Sequence, residues 1–235
     1  AQCLSMHPSL SAGSLTSYLN DVTIFSFVEK QVAAFRGTIL DIGSGKQQYR
    51  TLVERNDRHY VGIDLDPGKF AYHVVADLYW DGVHMDIEDN SYDGALLLEV
   101  LEHCADPRIV VGEAYRVLRP GCTIIFSTPF LYPIHGAPYD FQRLSPFGTQ
   151  KLFTDAGFTN IQIQAGGSYD ASLGQMVAVW IRNRPMPRLL RRILSRLYVP
   201  FFRLLLHWDK QWTSLPAGTE GVMITGILGT AQKPH

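Results

Sequence analysis

Three carboxylates and a pair of glycines fall where short apolar runs give way to loops, a spacing that suits capture of a nucleoside. Residues 39–45 read ILDIGSG, a short apolar run containing Asp41, then Gly43-Ser44-Gly45 ahead of a helical pattern from Gln47. A tight strand-to-helix turn needs open backbone angles and close ligand approach, which is the reason for glycine at both positions. Asp64 stands twenty-three residues after Asp41, near the spacing of an acid that accepts hydrogen bonds from both ribose hydroxyls. Asp77 closes a third apolar run, where it could accept from an adenine amino group. Gln48 replaces the third glycine of a dinucleotide fingerprint, and Lys46-Gln47 breaks a Walker-type phosphate loop. One G-x-G is weak evidence; acids on three successive strand ends are much stronger.

A second group of chemistry-bearing residues lies in TPFLYPIHGAPYDFQRLSP, residues 128–146. A loop rich in His, Asp, Arg and aromatics suits polar substrate capture. His135 is the leading candidate for a catalytic base, because an imidazole titrates near neutrality. Asp140 is the second catalytic candidate, and Tyr139 and Arg143 are candidates for substrate contact. Asp140 and Arg143 equally fit a salt bridge that orders the loop. His103 reads as a brace for the pocket or the following helix. Two acids and a His at metal-ligand spacing are not evident, so no metal site is expected.

These residues need elements to hold them. Runs at 38–42, 59–63, 73–76, 92–98 and 123–127 are short, apolar and β-branched, with helical spacing between several of them. That alternation predicts an α/β fold with a mainly parallel sheet, with further strands at 159–165 and 222–231. Apolar spacing over 15–35 predicts a packed helix before the first strand, and 173–181 predicts another. A third helical stretch, 189–208, should break or kink at Pro200. The expected organisation is one domain over 1–235, with an N-terminal helical segment (1–35) and a binding core (36–165). A helical arginine-rich insertion (166–220) and the last strand and tail (221–235) complete it.

The ordered segments LDIGSGKQQYR, YVGIDLDP, VVADL, SYDGALLLEVLEH, YRVLRPG and FSTPF resemble the sequential motifs of class I S-adenosylmethionine-dependent methyltransferases. The likeness covers residues 36–165 and implies a Rossmann-like, seven-stranded sheet with helices on both faces and an antiparallel last strand. It implies S-adenosylmethionine as cofactor, with Gly43 and Gly45 facing its methionine end and Asp41 anchoring its amino group. Asp64 is then the ribose acid, Asp77 and the Leu78 backbone face adenine, and Glu99 lies near the methionine moiety. The stretch His135-x-x-Pro-x-Asp140-aromatic-x-Arg143-x-Ser-Pro is similar to one in a bacterial methyltransferase subgroup linked to surface-polysaccharide and related sugar pathways. That narrower likeness implies O-methylation of a sugar-containing acceptor. A lipid or quinone-like acceptor and a non-catalytic cofactor-binding module are the alternatives.

Composition bounds the partners. The 235 residues are 46% hydrophobic and 18% charged, enough for a sizeable core. A net charge of −1 argues against broad attraction to nucleic acid. Cys3, Cys104 and Cys122 form neither a metal-ligand spacing nor a disulfide framework, so a reducing cytoplasm is expected. No signal peptide is visible at the start. Residues 171–208 hold seven arginines and no Lys, Asp or Glu. Residues 186–208 could lie on an anionic membrane surface, pack on the body, or make a homodimer contact; these readings stay open.

Overall fold

Apolar β-branched runs become strands in a computed structural model that describes residues 8–68, 75–209 and 221–235. In chain order the elements are α1 (Tyr18–Val32), β1 (Gly37–Ile42), α2 (Arg50–Val53), β2 (Arg58–Leu65) and β3 (Leu78–Trp80). Next come β4 (Tyr92–Leu98), a 3-10 turn (Leu101–His103), α3 (Pro107–Val117), β5 (Leu118–Pro129) and α4 (Pro146–Asp155). The chain continues with β6 (Thr159–Ala165), α5 (Tyr169–Asn183), α6 (Arg188–Trp208) and β7 (Gly226–Gln232).

The strands form one sheet in the order β3-β2-β1-β4-β5-β7-β6. β1 pairs in parallel with β2 and β4, β2 with β3, and β4 with β5. β7 runs the other way. The Gly121 N–H donates to the Lys233 carbonyl at one end of β5, and Phe130 to Thr225 at the other. Likewise Gly166 donates to Gly226, while the Thr159 hydroxyl donates to Gln232. The chain leaves β1 toward one sheet edge and enters β4 on its other side. That makes the carboxyl ends of β1 and β4 a topological switch point, the place where open α/β sheets bind ligands. The fold is a Rossmann-like, mostly parallel seven-stranded sheet with helices.

Contacts divide the chain into two compact units. One comprises Val28–Thr128, Ile134–Ile163 and Leu228–His235 and carries most of the sheet. Its core includes fully buried Ile39, Leu40 and Ile42 of β1 and Leu96 and Leu97 of β4. Phe126 stacks on Phe153 with ring centroids 4.1 Å apart. Buried Lys233, just past β7, donates to the carbonyls of Tyr115 and Leu118 and to Asn90 Oδ1 at 2.7–2.8 Å. α3 starts where it does because the Asp106 carboxylate accepts the Arg108 N–H and Pro107 needs no helical partner.

The other unit comprises Ala1–Phe27, Pro129–Pro133 and Gln164–Ile227. There α5 packs on α6 because Gly174 leaves room for an aromatic ring. A Cβ at that position would lie 2.4 Å from Phe202 Cε2. The Tyr198 hydroxyl donates to the Gly174 carbonyl at 2.9 Å, closing the same contact. Asp209, just past α6, accepts from the N–H and hydroxyl of Ser168 and the N–H of Ala171. It thereby satisfies donors at the start of α5.

Four local expectations change. The third strand lies at Leu78–Trp80 rather than 73–76; positions 73 and 74 fall outside the described residues. Asp77 therefore precedes that strand instead of ending it. The cause is visible at Asp77, whose N–H donates to the Gly62 carbonyl and whose carboxylate accepts the Gly62 N–H. The helix after the glycine turn begins only at Arg50 and is four residues long. α6 runs continuously through Pro200, and buried Tyr198 and Phe202 hold the helix on either side of the missing donor. β7 starts at Gly226, four residues later than its apolar pattern suggests.

Candidate active site

The site starts with β1, whose buried strand delivers Asp41 to the switch point. Asp41 is 2% exposed and accepts a 2.5 Å hydrogen bond from the Tyr60 hydroxyl. Burial dominates and pushes its carboxyl up to about 7, partly offset by the tyrosine bond and reinforced by nearby Asp64. The turn beyond it needs its glycines. Gly43 has φ 72°, and a Cβ there would stand 2.4 Å from Val100 Cγ2. Gly45 has φ 52° and donates its N–H to Asp64 Oδ2 at 2.7 Å.

Asp64, near the end of β2, is 4% exposed; its Oδ1 accepts the Leu65 N–H at 2.8 Å. Burial raises its carboxyl above the ordinary value, against the two backbone donors. Each carboxylate oxygen has a second lone pair for a ligand hydroxyl. Asp77 sits on the β2 edge, bound to the Gly62 N–H at 2.7 Å and to the Arg50 guanidinium. Arg50 in turn lies over the Tyr60 ring, 4.5 Å from its centroid. Leu78 is the first residue of β3, paired with Ile63 and partly exposed. Glu99 follows β4 with φ 56°, a left-handed conformation unusual for a side-chain-bearing residue. Its carboxylate accepts the Ser127 hydroxyl at 2.8 Å, and its N–H reaches the Ser127 carbonyl at 3.2 Å.

A nucleoside with a short charged tail fits these features. Two left-handed glycines keep side chains out of the turn, a buried acid lies beneath it, and a second acid offers paired acceptors. All belong to the same unit. Size is a poor guide here: a hollow of about 860 Å³ lies instead among Ala33, Arg36, Arg55 and Arg58, at the amino ends of β1 and β2.

The acceptor-side residues also come together. The Gln142 amide donates to the carbonyls of Leu101 and Cys104, tying the loop to the 3-10 turn after β4. Asp140 accepts the His135 N–H at 2.9 Å and both terminal nitrogens of Arg143. The guanidinium holds the Asp140 carboxyl well below the usual carboxylate range. A carboxylate so fully engaged is built to orient neighbours rather than to take up a proton. His135 Nδ1 is 3.5 Å from Asp140 Oδ2, and its Nε2 is 3.6 Å from Glu102 Oε1. The Tyr139 ring is 51% exposed beside Phe141, and its carbonyl accepts from His103 Nδ1 at 2.6 Å.

Sequence reasoning passed over Glu102. It is fully buried, between His103 and His135, whose rings meet edge-on at 4.8 Å. The only local signal was the Leu-Glu-His triplet, because His135 is thirty-three residues away in the chain.

Comparison with known proteins agrees with this geometry. Residues 40–126 match the family model described as a methyltransferase domain. Ubiquinone biosynthesis O-methyltransferase of Hahella chejuensis is 31% identical over 144 residues, covering 53% of this chain and 59% of that one. The chain spans just over half the length of the curated relatives it matches. An S-adenosylmethionine-dependent methyltransferase from Archaeoglobus fulgidus superposes with a TM-score of 0.54 at 12% identity. It covers 92% of this chain and 97% of its own. The cyclase SpnF superposes at 0.57 with 15% identity, covering 92% of this chain and 82% of its own. The fold is therefore that of S-adenosylmethionine-dependent methyltransferases, and chemistry must be argued from the site.

Proposed function

We propose that this chain is an S-adenosylmethionine-dependent methyltransferase that methylates a hydroxyl group of a small molecule. The observation that carries the reading is the glycine turn flanked by buried Asp41 and Asp64 at the switch point, inside the segment that matches the methyltransferase-domain model. When bound, the cofactor supplies an activated methyl group on a sulfonium.

The chain's own residues have four tasks. Asp41 holds the cofactor's ammonium and Asp64 its ribose hydroxyls. Gly43 and Gly45 let the cofactor approach the main chain. Asp77, the Leu78 backbone and Glu99 line the adenine and methionine ends. His135, oriented by Asp140, takes the acceptor's hydroxyl proton, while Tyr139 and Arg143 border the acceptor. Alignment of donor and acceptor supplies roughly 7–11 kcal/mol of the barrier, and proton removal by a positioned base about 10²–10⁴-fold in rate.

Of the acceptor classes open at the outset, the quinone-like one has the better support, from the relatives' printed names. The glycan acceptor suggested by the loop has none there. Labelled methyl from the cofactor, offered to a cell extract, should partition into the organic-extractable fraction. Label confined to the glycan fraction would restore the sugar reading. Tight cofactor binding with no label in either would leave a non-catalytic module.

An apolar acceptor also fits the surface of α6. Leu189, Ile193, Leu197, Phe201, Leu204 and Trp208 are exposed and recur every three or four residues. Buried Ser195, Tyr198, Phe202 and Leu205 occupy another face, and the helix carries arginines but no acid. No helix among the described residues is long and apolar enough to cross a membrane. The pattern supports a helix lying on an anionic lipid surface. Flotation with anionic vesicles should retain the protein at low salt and lose it at high salt. No flotation, with a dimer in sedimentation, would assign the stripe to a second copy.

A further inference from the structure

We propose that Glu102, His103 and His135 form a binding site for a divalent first-row metal ion of the zinc class, open on its outer side to oxygen ligands. The three residues offer ligand atoms that all lie within 4.8 Å of one another. Glu102 is 0% exposed, yet neither of its carboxylate oxygens accepts a hydrogen bond. A carboxylate taken out of water without donors is strongly disfavoured unless a cation stands beside it.

The histidines are set up to complete that cation's shell. His103 Nδ1 lies 2.6 Å from the Tyr139 carbonyl. A carbonyl can only accept, so Nδ1 carries the hydrogen and the neutral ring's lone pair is on Nε2. Nε2 is 3.7 Å from Glu102 Oε1, so in the neutral ring its lone pair is turned toward the carboxylate. His135 presents Nε2 to the same oxygen at 3.6 Å, while its Nδ1 faces Asp140 at 3.5 Å. A backbone carbonyl behind one ring and a carboxylate behind the other is the outer arrangement that fixes metal-binding imidazoles.

The spacing also suits an ion. Donors about 2.0–2.1 Å from a tetrahedral centre stand roughly 3.4 Å apart. The two histidine–carboxylate pairs, at 3.6 and 3.7 Å, are already close to that, and the two imidazoles offer nitrogens within 4.8 Å of each other. Arg143, the charged neighbour on the loop, donates to Asp140 and to the Gln142 carbonyl. Both rings are about a third exposed, which leaves an entry path and room for further ligands. Two imidazoles with one carboxylate select zinc, cobalt or iron over magnesium and calcium, which prefer oxygen shells. What the ion would do rests on the methyl-transfer reading: with the ion bound, His135 would serve as its ligand in place of acting as the free base, and the ion's open positions would take the acceptor's oxygen and favour loss of its proton to solvent.

The test uses the whole chain, stripped with EDTA and dialysed. It is titrated with Co²⁺ alone, followed by visible absorption, and with Zn²⁺ alone, followed by calorimetry. One ion per chain is expected, and Glu102→Gln and His135→Ala should each weaken it by at least about tenfold. Should Glu102→Gln fail to fold by circular dichroism, His103→Ala carries the same test from a partly exposed ring. No binding by the wild type, or binding that folded variants keep at full strength, overturns the site and leaves an imidazole–carboxylate cluster. S-adenosylmethionine titrated into the same metal-free protein is a separate readout. Loss of cofactor binding with metal binding intact would sink the methyl-transfer reading and leave the metal site standing.

Discussion

The two ends of the candidate site are built in opposite ways. At the cofactor end, Asp64 near the end of β2 and Asp77 just before β3 bind backbone N–H groups: Asp64 holds Gly45 and Leu65, and Asp77 holds Gly62. Each of those three bonds joins residues within nineteen positions of each other. At the acceptor end, Glu102 meets His135 across thirty-three residues through side chains alone, and its carboxylate oxygens accept no hydrogen bond. The first region is a shape stabilised by main-chain donors before any ligand arrives. The second is closed by side chains around one buried carboxylate, Glu102, whose two oxygens lack a hydrogen-bond partner. On the proposed function, binding selectivity belongs to the one and reactivity to the other.

Four substitutions or conditions would break or sharpen that contrast. The largest effect is expected at the reactive end. His135→Ala should lower kcat by roughly 10²–10⁴-fold while cofactor affinity holds; undiminished turnover would remove it as the base. At the binding end, Asp64→Ala should weaken cofactor binding by roughly 100-fold, as loss of hydrogen bonds to a charged group implies. Asp64→Asn separates charge from the turn's shape, because its amide oxygen can still accept the Gly45 N–H. Equal affinity in wild type and both variants, by calorimetry, would discard the ribose contact.

Away from both ends, Lys233→Met should cost about 1–3 kcal/mol of stability by stranding the Tyr115 and Leu118 carbonyls. Denaturant melts would show it, and kcat should be unaffected; an unchanged midpoint would contradict the role given to that lysine.

The smallest effect is a pH dependence. The Asp41 carboxyl in the folded chain sits near 7, above its ordinary value of 3.8. The folded state then binds more protons than the unfolded one between those values. Stability from this group is full below about 4 and is lost as pH rises through 7. A cationic ligand prefers the ionised form, so cofactor affinity should instead rise severalfold between pH 6 and 7.5. Asp41→Asn should flatten both trends, in thermal melts and in calorimetry. Trends that persist in the variant would place the titration elsewhere.

Legibility followed the same division. Asp41, Gly43, Gly45 and Asp64 could be read because a strand, a turn and a strand end are local patterns with fixed spacing. Asp77 was assigned to the end of a strand that a β-branched run misplaced; the ladder begins one residue after the acid, where Leu78 pairs with Ile63. The antiparallel β7 was expected from the family likeness alone, and its ladder to β5 and β6 agrees. α6 was expected to break or kink because Pro200 removes a donor; the helix does not break, as burial of its neighbours outweighs one lost hydrogen bond. Glu102 was invisible because an acid in a helix-like triplet looks solvated until the fold shows it buried. Side-chain clusters closed by long loops leave no periodic trace.

The most direct test of the central claim is calorimetric titration of the purified chain with S-adenosylmethionine. The account predicts one site per chain, saturable binding, and marked loss of affinity in Asp64→Ala with the fold intact. Absence of binding by the folded wild-type chain would contradict it.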